Sequence, residues 1–115
     1  MLRRLLLICT AIILVLSIFA AVPKPDNKTT EAARRNNVGA AYMNQQLFEK
    51  GLKSFTEAAE LDPQLSIANI NKGIALVNTG KVDEAKKILE EAAKSNPKDP
   101  HVWYNLGLLY KNNSD

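Results

Sequence analysis

The sequence predicts an all-α chain, a solenoid of antiparallel helix pairs preceded by one apolar helix. Three observations carry that expectation. Gly39, Gly73 and Gly107 are equally spaced, and two asparagine series (Asn37, Asn71, Asn105 and Asn44, Asn78, Asn112) keep the same step. Between them apolar residues recur at spacings of three and four, the pattern of amphipathic helices. A fixed period of roughly 34 residues marks one small unit copied in tandem, each copy burying its apolar face on the next.

The first element is the run Leu5 to Val22, unbroken by any charge and preceded by Arg3 and Arg4. As a helix it would be roughly 27 Å long, against a bilayer core of about 30 Å. Two readings stay open for residues 1–22. One is an uncleaved signal-anchor or transmembrane helix. The other is a secretory signal peptide, which has the basic start but wants small residues at its cleavage site. Cleavage after Ala20 would leave Ile18 two residues upstream, and cleavage after Ala21 would leave Phe19 there. The anchor is the favoured reading. It places the protein in the cytoplasmic membrane as a single-pass chain with its repeats on the outer side; the alternative is secretion after cleavage. The positive-inside comparison of Arg3 and Arg4 with Lys24, Lys28, Arg34 and Arg35 does not decide the orientation.

Charge and cysteine content exclude several classes. The formal charge is +3, and Arg3 and Arg4 supply two of it; the rest has 13 Lys and Arg against 12 Asp and Glu. The basic residues are dispersed among acidic ones, so no basic stripe exists for nucleic acid. Cys9 is the single cysteine and lies in the apolar run, so no internal disulfide forms. Ile8 before it and most of the run after it argue against a lipidation site.

Residues 23–31, PKPDNKTTE, read as an extended spacer. Thr30 is the expected N-cap of the next helix, with Glu31 in its first turn. Helices are expected at about 31–45, 48–61, 66–79, 82–95 and 100–112. Gly80 suits the left-handed residue after a helix. Asp62-Pro63 and Asn96-Pro97 stop two helices, because a residue before proline avoids the helical region. Asp99 caps the last helix and Pro100 starts it. The connections are short, so consecutive helices pack antiparallel.

The run Trp103 to Tyr110, WYNLGLLY, is similar to the W-x2-L-G-x2-Y signature of tetratricopeptide repeats. The first copy reads Arg35, Val38, Gly39, Tyr42, Gly51, Phe55, Ala58 and Pro63. The second reads Asn69, Lys72, Gly73, Leu76, Ala85, Leu89, Ala92 and Pro97. The third reads Trp103, Leu106, Gly107 and Tyr110. The resemblance implies a right-handed superhelix, with a first repeat at 32–65, a second at 66–99 and the first helix of a truncated third at 100–115. The glycines and Ala58 and Ala92 are expected to let paired helices approach. Phe55 and Leu89 would fill the space between pairs, and Tyr42, Leu76 and Tyr110 would plug the adjacent layer. Phe55→Ala should cost on the order of 3–5 kcal/mol. Arg35 and Asn69 replace the tryptophan and Lys72 replaces a leucine, so the first two pairs are expected to pack less tightly than the third.

In this family the first helix of each pair lines a concave groove. The resemblance implies a groove built here from Ala33, Asn36, Asn37, Ala40, Asn44, Ile67, Ile70, Asn71, Ile74, Asn78, His101, Tyr104, Asn105 and Leu108. Asn36, Asn37, Ile70, Asn71, Ile74, His101, Tyr104 and Asn105 are the candidate peptide-binding residues. Asn37, Asn71 and Asn105 would form a ladder of amides that donate to and accept from a peptide backbone. Asn44, Asn78 and Asn112 sit where asparagine ends helices. Some relatives clamp an acidic tail with lysine and arginine. Asn36, Ala40, Asn71, His101 and Asn105 occupy those places here, so the expected partner is a neutral, partly apolar peptide or protein segment.

Catalysis is not expected. His101 is the only histidine, no cysteine lies outside the apolar run, and no phosphate-cradling glycine loop occurs. Glu57, Glu60, Glu90 and Glu91 read as a solvated face with nearby lysines. No metal or cofactor is implied. Asn27-Lys28-Thr29 is a glycosylation sequon. The last helix is expected to lack a partner on one side, a face that self-association, helices further downstream or repacking of the helix as its own cap would cover. The expected role is a membrane-anchored or exported interaction scaffold; the alternative is the front section of a longer exported enzyme or receptor.

Overall fold

The computed structural model describes residues 26–113. These form five helices: α1 (Asn27–Asn44), α2 (Phe48–Leu61), α3 (Ser66–Asn78), α4 (Val82–Ser95) and α5 (Pro100–Asn112). No strand occurs among the described residues. Residues 1–22, with the expected membrane segment, lie outside them. Among the described residues no helix is long and apolar enough to cross a membrane.

The first helix corrects the sequence reading. It starts at Asn27 instead of the expected 31, inside the supposed spacer, and its N-cap is Asp26 rather than Thr30. The Asp26 carboxylate accepts from the Lys28 N–H at 3.4 Å. Pro25 is the last residue that resists helix; residues 27–30 contain no proline or glycine, so a cap at Asp26 lets the helix run through them. Glu31 therefore lies past the first turn and works through side-chain pairs instead.

The remaining boundaries follow local chemistry. Gly80 has φ +78°, and Lys81 N–H donates to Leu76 O at 2.8 Å while Gly80 N–H donates to Val77 O at 3.1 Å. This is the Schellman arrangement, which satisfies the last carbonyls of α3. The end of α1 is built the same way without glycine: Gln46 takes φ +60°, Leu47 N–H donates to Tyr42 O at 2.9 Å and Gln46 N–H to Met43 O at 3.0 Å. Asp62 and Asn96 both leave the helical region, at φ −138°, before their prolines and end α2 and α4. Asp99 accepts from the His101 N–H at 2.9 Å, and Pro100 opens α5.

Each helix packs on its chain neighbour; in addition α1 touches α3, and α3 touches α5. First helices thus form one layer and second helices the other. A Cβ on Gly39 would fall 2.5 Å from the Phe55 ring, and one on Gly73 would fall 2.7 Å from Leu89 Cγ. Phe55 and Leu89 therefore seat on the glycine of their own pair, while also joining the common core. Both are 1% exposed, as is Ile70, and Val102 is fully enclosed. Burying side chains of this size is worth about 1.5–3 kcal/mol each. Ala58, Ala85, Leu76, Ala92 and Leu106 are buried as well.

The third unit differs from the expectation. Gly107 has nothing within 4 Å of its Cβ position. Trp103 is 53% exposed and Tyr110 44%. Tyr110 lies on α4, its hydroxyl donating to Glu90 Oε1 at 2.6 Å and Lys86 Nζ standing 5.3 Å from its ring centre. Tyr42 is only half-buried, with Lys50 Nζ 5.7 Å from its ring. The third unit is thus the more open one, because among the described residues no second helix covers it. The tryptophan position also has a shared polar role: Trp103 Nε1 donates to Pro97 O at 2.8 Å, and Asn69 Nδ2 donates to Pro63 O at 3.4 Å.

Candidate functional site

The expected groove follows the layer of first helices. Along it Asn37, His101, Tyr104 (65% exposed), Ile67 (42%) and Leu108 (40%) stand in solvent, and Ile74 and Asn105 are half-buried. Ala33 is exposed and Ala40 half-buried.

Two expected groove residues belong elsewhere. Ile70 is a core residue at 1% exposure, part of the cluster that includes Leu89 and Val102. Asn36 is buried at 8% and accepts from Asn71 Nδ2 at 2.9 Å. That bond joins α1 to α3, one repeat to the next. It satisfies both groups where an unpaired amide would be costly.

The amide ladder is accordingly not uniform. Asn71 gives an N–H to Asn36, and Asn105 Nδ2 donates to its own helix at His101 O, 2.8 Å away. Asn37 alone of the three is exposed. Asn78 closes α3, its Nδ2 donating to Ile74 O at 2.9 Å.

A cluster of charged side chains joins α1 to α2. Arg35 donates to Glu31 at 2.8 Å and to Glu57 on α2 at 2.5 Å, and Arg34 Nη2 meets Glu31 at 2.6 Å. The hydrogen bond from Arg34, then that from Arg35, holds the Glu31 carboxyl at about 2 instead of 4.5. Arg35 thus ties the first pair together at the position where a tryptophan was missing.

At the C-terminal end of the strip a cavity of about 190 Å³ opens between α3, the start of α4 and α5. Ile74, Asn78, Asn105 and Leu108 of the expected groove line it, together with Asn112 of the asparagine series and with Val77 and Val82, which sequence reasoning did not single out. One signal was available: Val77 and Val82 stand one full repeat after the larger Met43 and Phe48.

Comparison with known proteins gives a consistent family. A model described as tetratricopeptide repeat matches residues 42–109. A TPR repeat-containing protein of Methanocaldococcus jannaschii is 37% identical over 78 residues, 64% of this chain and 22% of that protein. Trafficking protein particle complex subunit 12 of Mus musculus is 30% identical over 73 residues, 61% of this chain and 9% of its own length. Rhomboid protease GluP of Bacillus subtilis is 39% identical over 54 residues, 47% of this chain and 10% of the protease. The chain therefore spans less than a quarter of each of these relatives. Among solved structures, the second TPR domain of human RPAP3 in complex with an HSP70 peptide superposes with a TM-score of 0.65. It is 29% identical and covers 69% of this chain, and the match takes in 66% of that domain's chain.

Proposed function

The chain belongs to the tetratricopeptide repeat family, and we propose that its repeats are a protein–protein interaction module that holds a peptide or protein segment along the first-helix layer. The observation that carries this reading is the exposed strip of Asn37, Ile67, Tyr104 and Leu108 along the first-helix layer. Tyrosine and asparagine side chains give contact area and backbone hydrogen bonds at low ordering cost. The neighbouring RPAP3 domain was solved with a peptide, which supports the same mode here. The role is binding rather than catalysis, and the run Leu5 to Val22 anchors the module at the cytoplasmic membrane with the repeats outside.

The RPAP3 ligand, SGPTIEEVD, is acidic at its end. The strip of this chain presents no lysine or arginine at the places compared above, and Asn36 and Asn71 are engaged with each other. The partner is therefore a neutral segment.

A photo-crosslinking residue placed at Tyr104 of the full chain tests the reading, with the same residue at exposed Glu84 on α4 as control. Capture from Tyr104 and not from Glu84, abolished by Asn37→Arg, is the expected result. Equal capture from both positions would overturn it. Labelling of a cysteine introduced at Glu84 by an impermeant reagent in intact cells, with Cys9 replaced, checks the topology. A second reading, that these repeats are one section of a longer enzyme or receptor, is favoured by the bare outer face of α5, where Trp103 is 53% exposed.

A further inference from the structure

The 190 Å³ cavity at the end of the strip has features of its own. Its floor includes Leu89, buried at 1%, and its mouth is flanked by Val77 and Leu108, exposed at 37% and 40%. Nothing that lines it is charged. A carboxylate or ammonium group entering it would lose water without gaining a partner, whereas an aliphatic group would lose only unfavourable hydration. The size fits one side chain: an apolar cavity of about 150 Å³ takes a six-carbon ring.

The rim is built of asparagines. Asn78 and Asn105 each give one amide hydrogen to their own helix, at Ile74 O and His101 O. That leaves each with an oxygen and a second N–H, the pair of groups that a peptide unit needs.

The side chains of this junction are also smaller than their counterparts one repeat earlier. Val77, Val82 and Leu89 hold the repeat positions that Met43, Phe48 and Phe55 hold one copy earlier. The first junction thus carries a larger side chain at all three positions, and Met43 packs against the core there.

We propose that this cavity is a side-chain subsite, which takes one neutral aliphatic side chain of leucine, isoleucine or methionine size from an extended segment lying in the groove. The proposal rests on the groove reading and adds the chemistry of its anchor. The segment's main chain runs over the asparagine rim, and its apolar side chain turns inward past Val77 and Leu108.

The test uses the full chain and N-acetyl-leucinamide, with N-acetyl-alaninamide and N-acetyl-aspartamide as comparisons, read by methyl and amide NMR. The leucine probe should saturably shift the methyls of Val77, Val82 and Leu108, with an affinity about tenfold or more above the other two. The double variant V77M/V82F carries the residues of the first junction, and its Leu108 methyls should no longer shift with the probe while its other resonances stay in place. In Leu108→Asp, at the exposed mouth, the Val77 and Val82 methyls should likewise stop responding, and this variant serves if the double variant does not fold. Equal shifts from all three probes, or a response that survives filling, would overturn the subsite. Capture through Tyr104 without a leucine-probe response removes the subsite and leaves the groove reading. A leucine-probe response without capture removes the groove reading and leaves an isolated aliphatic site.

Discussion

Gly39, Gly73 and Gly107 share one register position, yet an added methyl meets three different surroundings. At Gly39 it meets the rigid Phe55 ring at 2.5 Å, at Gly73 the branched end of Leu89 at 2.7 Å, and at Gly107 open space. Helix propensity alone would favour alanine by about 1 kcal/mol at each. Overpacking costs roughly 1–3 kcal/mol where the neighbour cannot yield. Gly39→Ala should therefore destabilise, Gly73→Ala should do so less, and Gly107→Ala should stabilise, as urea midpoints will show. The asparagines separate in the same manner. Asn36→Ala strands the Asn71 amide that donates to it at 2.9 Å and should cost about 1–2 kcal/mol, while Asn37→Ala, at an exposed site, should leave stability within about 0.5 kcal/mol. A double-mutant cycle on Asn36 and Asn71 checks whether the loss is one shared bond.

At the scale of the helix, α1 shows what was readable and what was not. The period, the prolines and Gly80 fixed four helices to within a residue, because those signals act through φ and the missing N–H. The start of α1 was missed because Asp26 and Thr30 are both competent caps, and only the structure shows which of them is used. Asn36 and Ile70 hold the same repeat position, and Asn36 is engaged by Asn71 of the next first helix, a contact that spacing along a single helix does not show. Glu31 gives α1 a pH signature. Its pKa lies at about 2, lowered from 4.5 by Arg34 and Arg35. A lowered folded-state pKa adds stability that is complete above the unfolded value and is lost as pH falls towards 2. The difference in urea midpoint between the native chain and Glu31→Gln should therefore be full at pH 7, shrink between pH 4.5 and 2, and vanish at the bottom of that window. A difference that stays constant over that window would mean that Glu31 acts through packing alone.

Across the whole molecule, the stability of such an array is close to a sum of units and the interfaces between neighbours. The helices α2, α3 and α4 are enclosed from both chain directions, whereas among the described residues α5 packs only on α3 and α4. Between it and α4 lies an open cavity of about 520 Å³, lined by Trp103, Leu106, Gly107 and Tyr110 on one side and by Glu90, Ala93, Lys94 and Pro97 on the other. Amides of α5 in the full chain should consequently exchange at least about tenfold faster than those of α3, since local opening there breaks fewer buried contacts. Trp103, the only tryptophan, reports the same face without labelling: its emission should be that of a solvated indole and should be quenched by acrylamide. Exchange in α5 as slow as in α3, with Trp103 shielded, would mean that another helix covers this face in the whole protein. Slowing that grows with protein concentration would identify that helix as part of a second copy. In either case a methyl at position 107 would meet a neighbour, and Gly107→Ala would change from stabilising to destabilising.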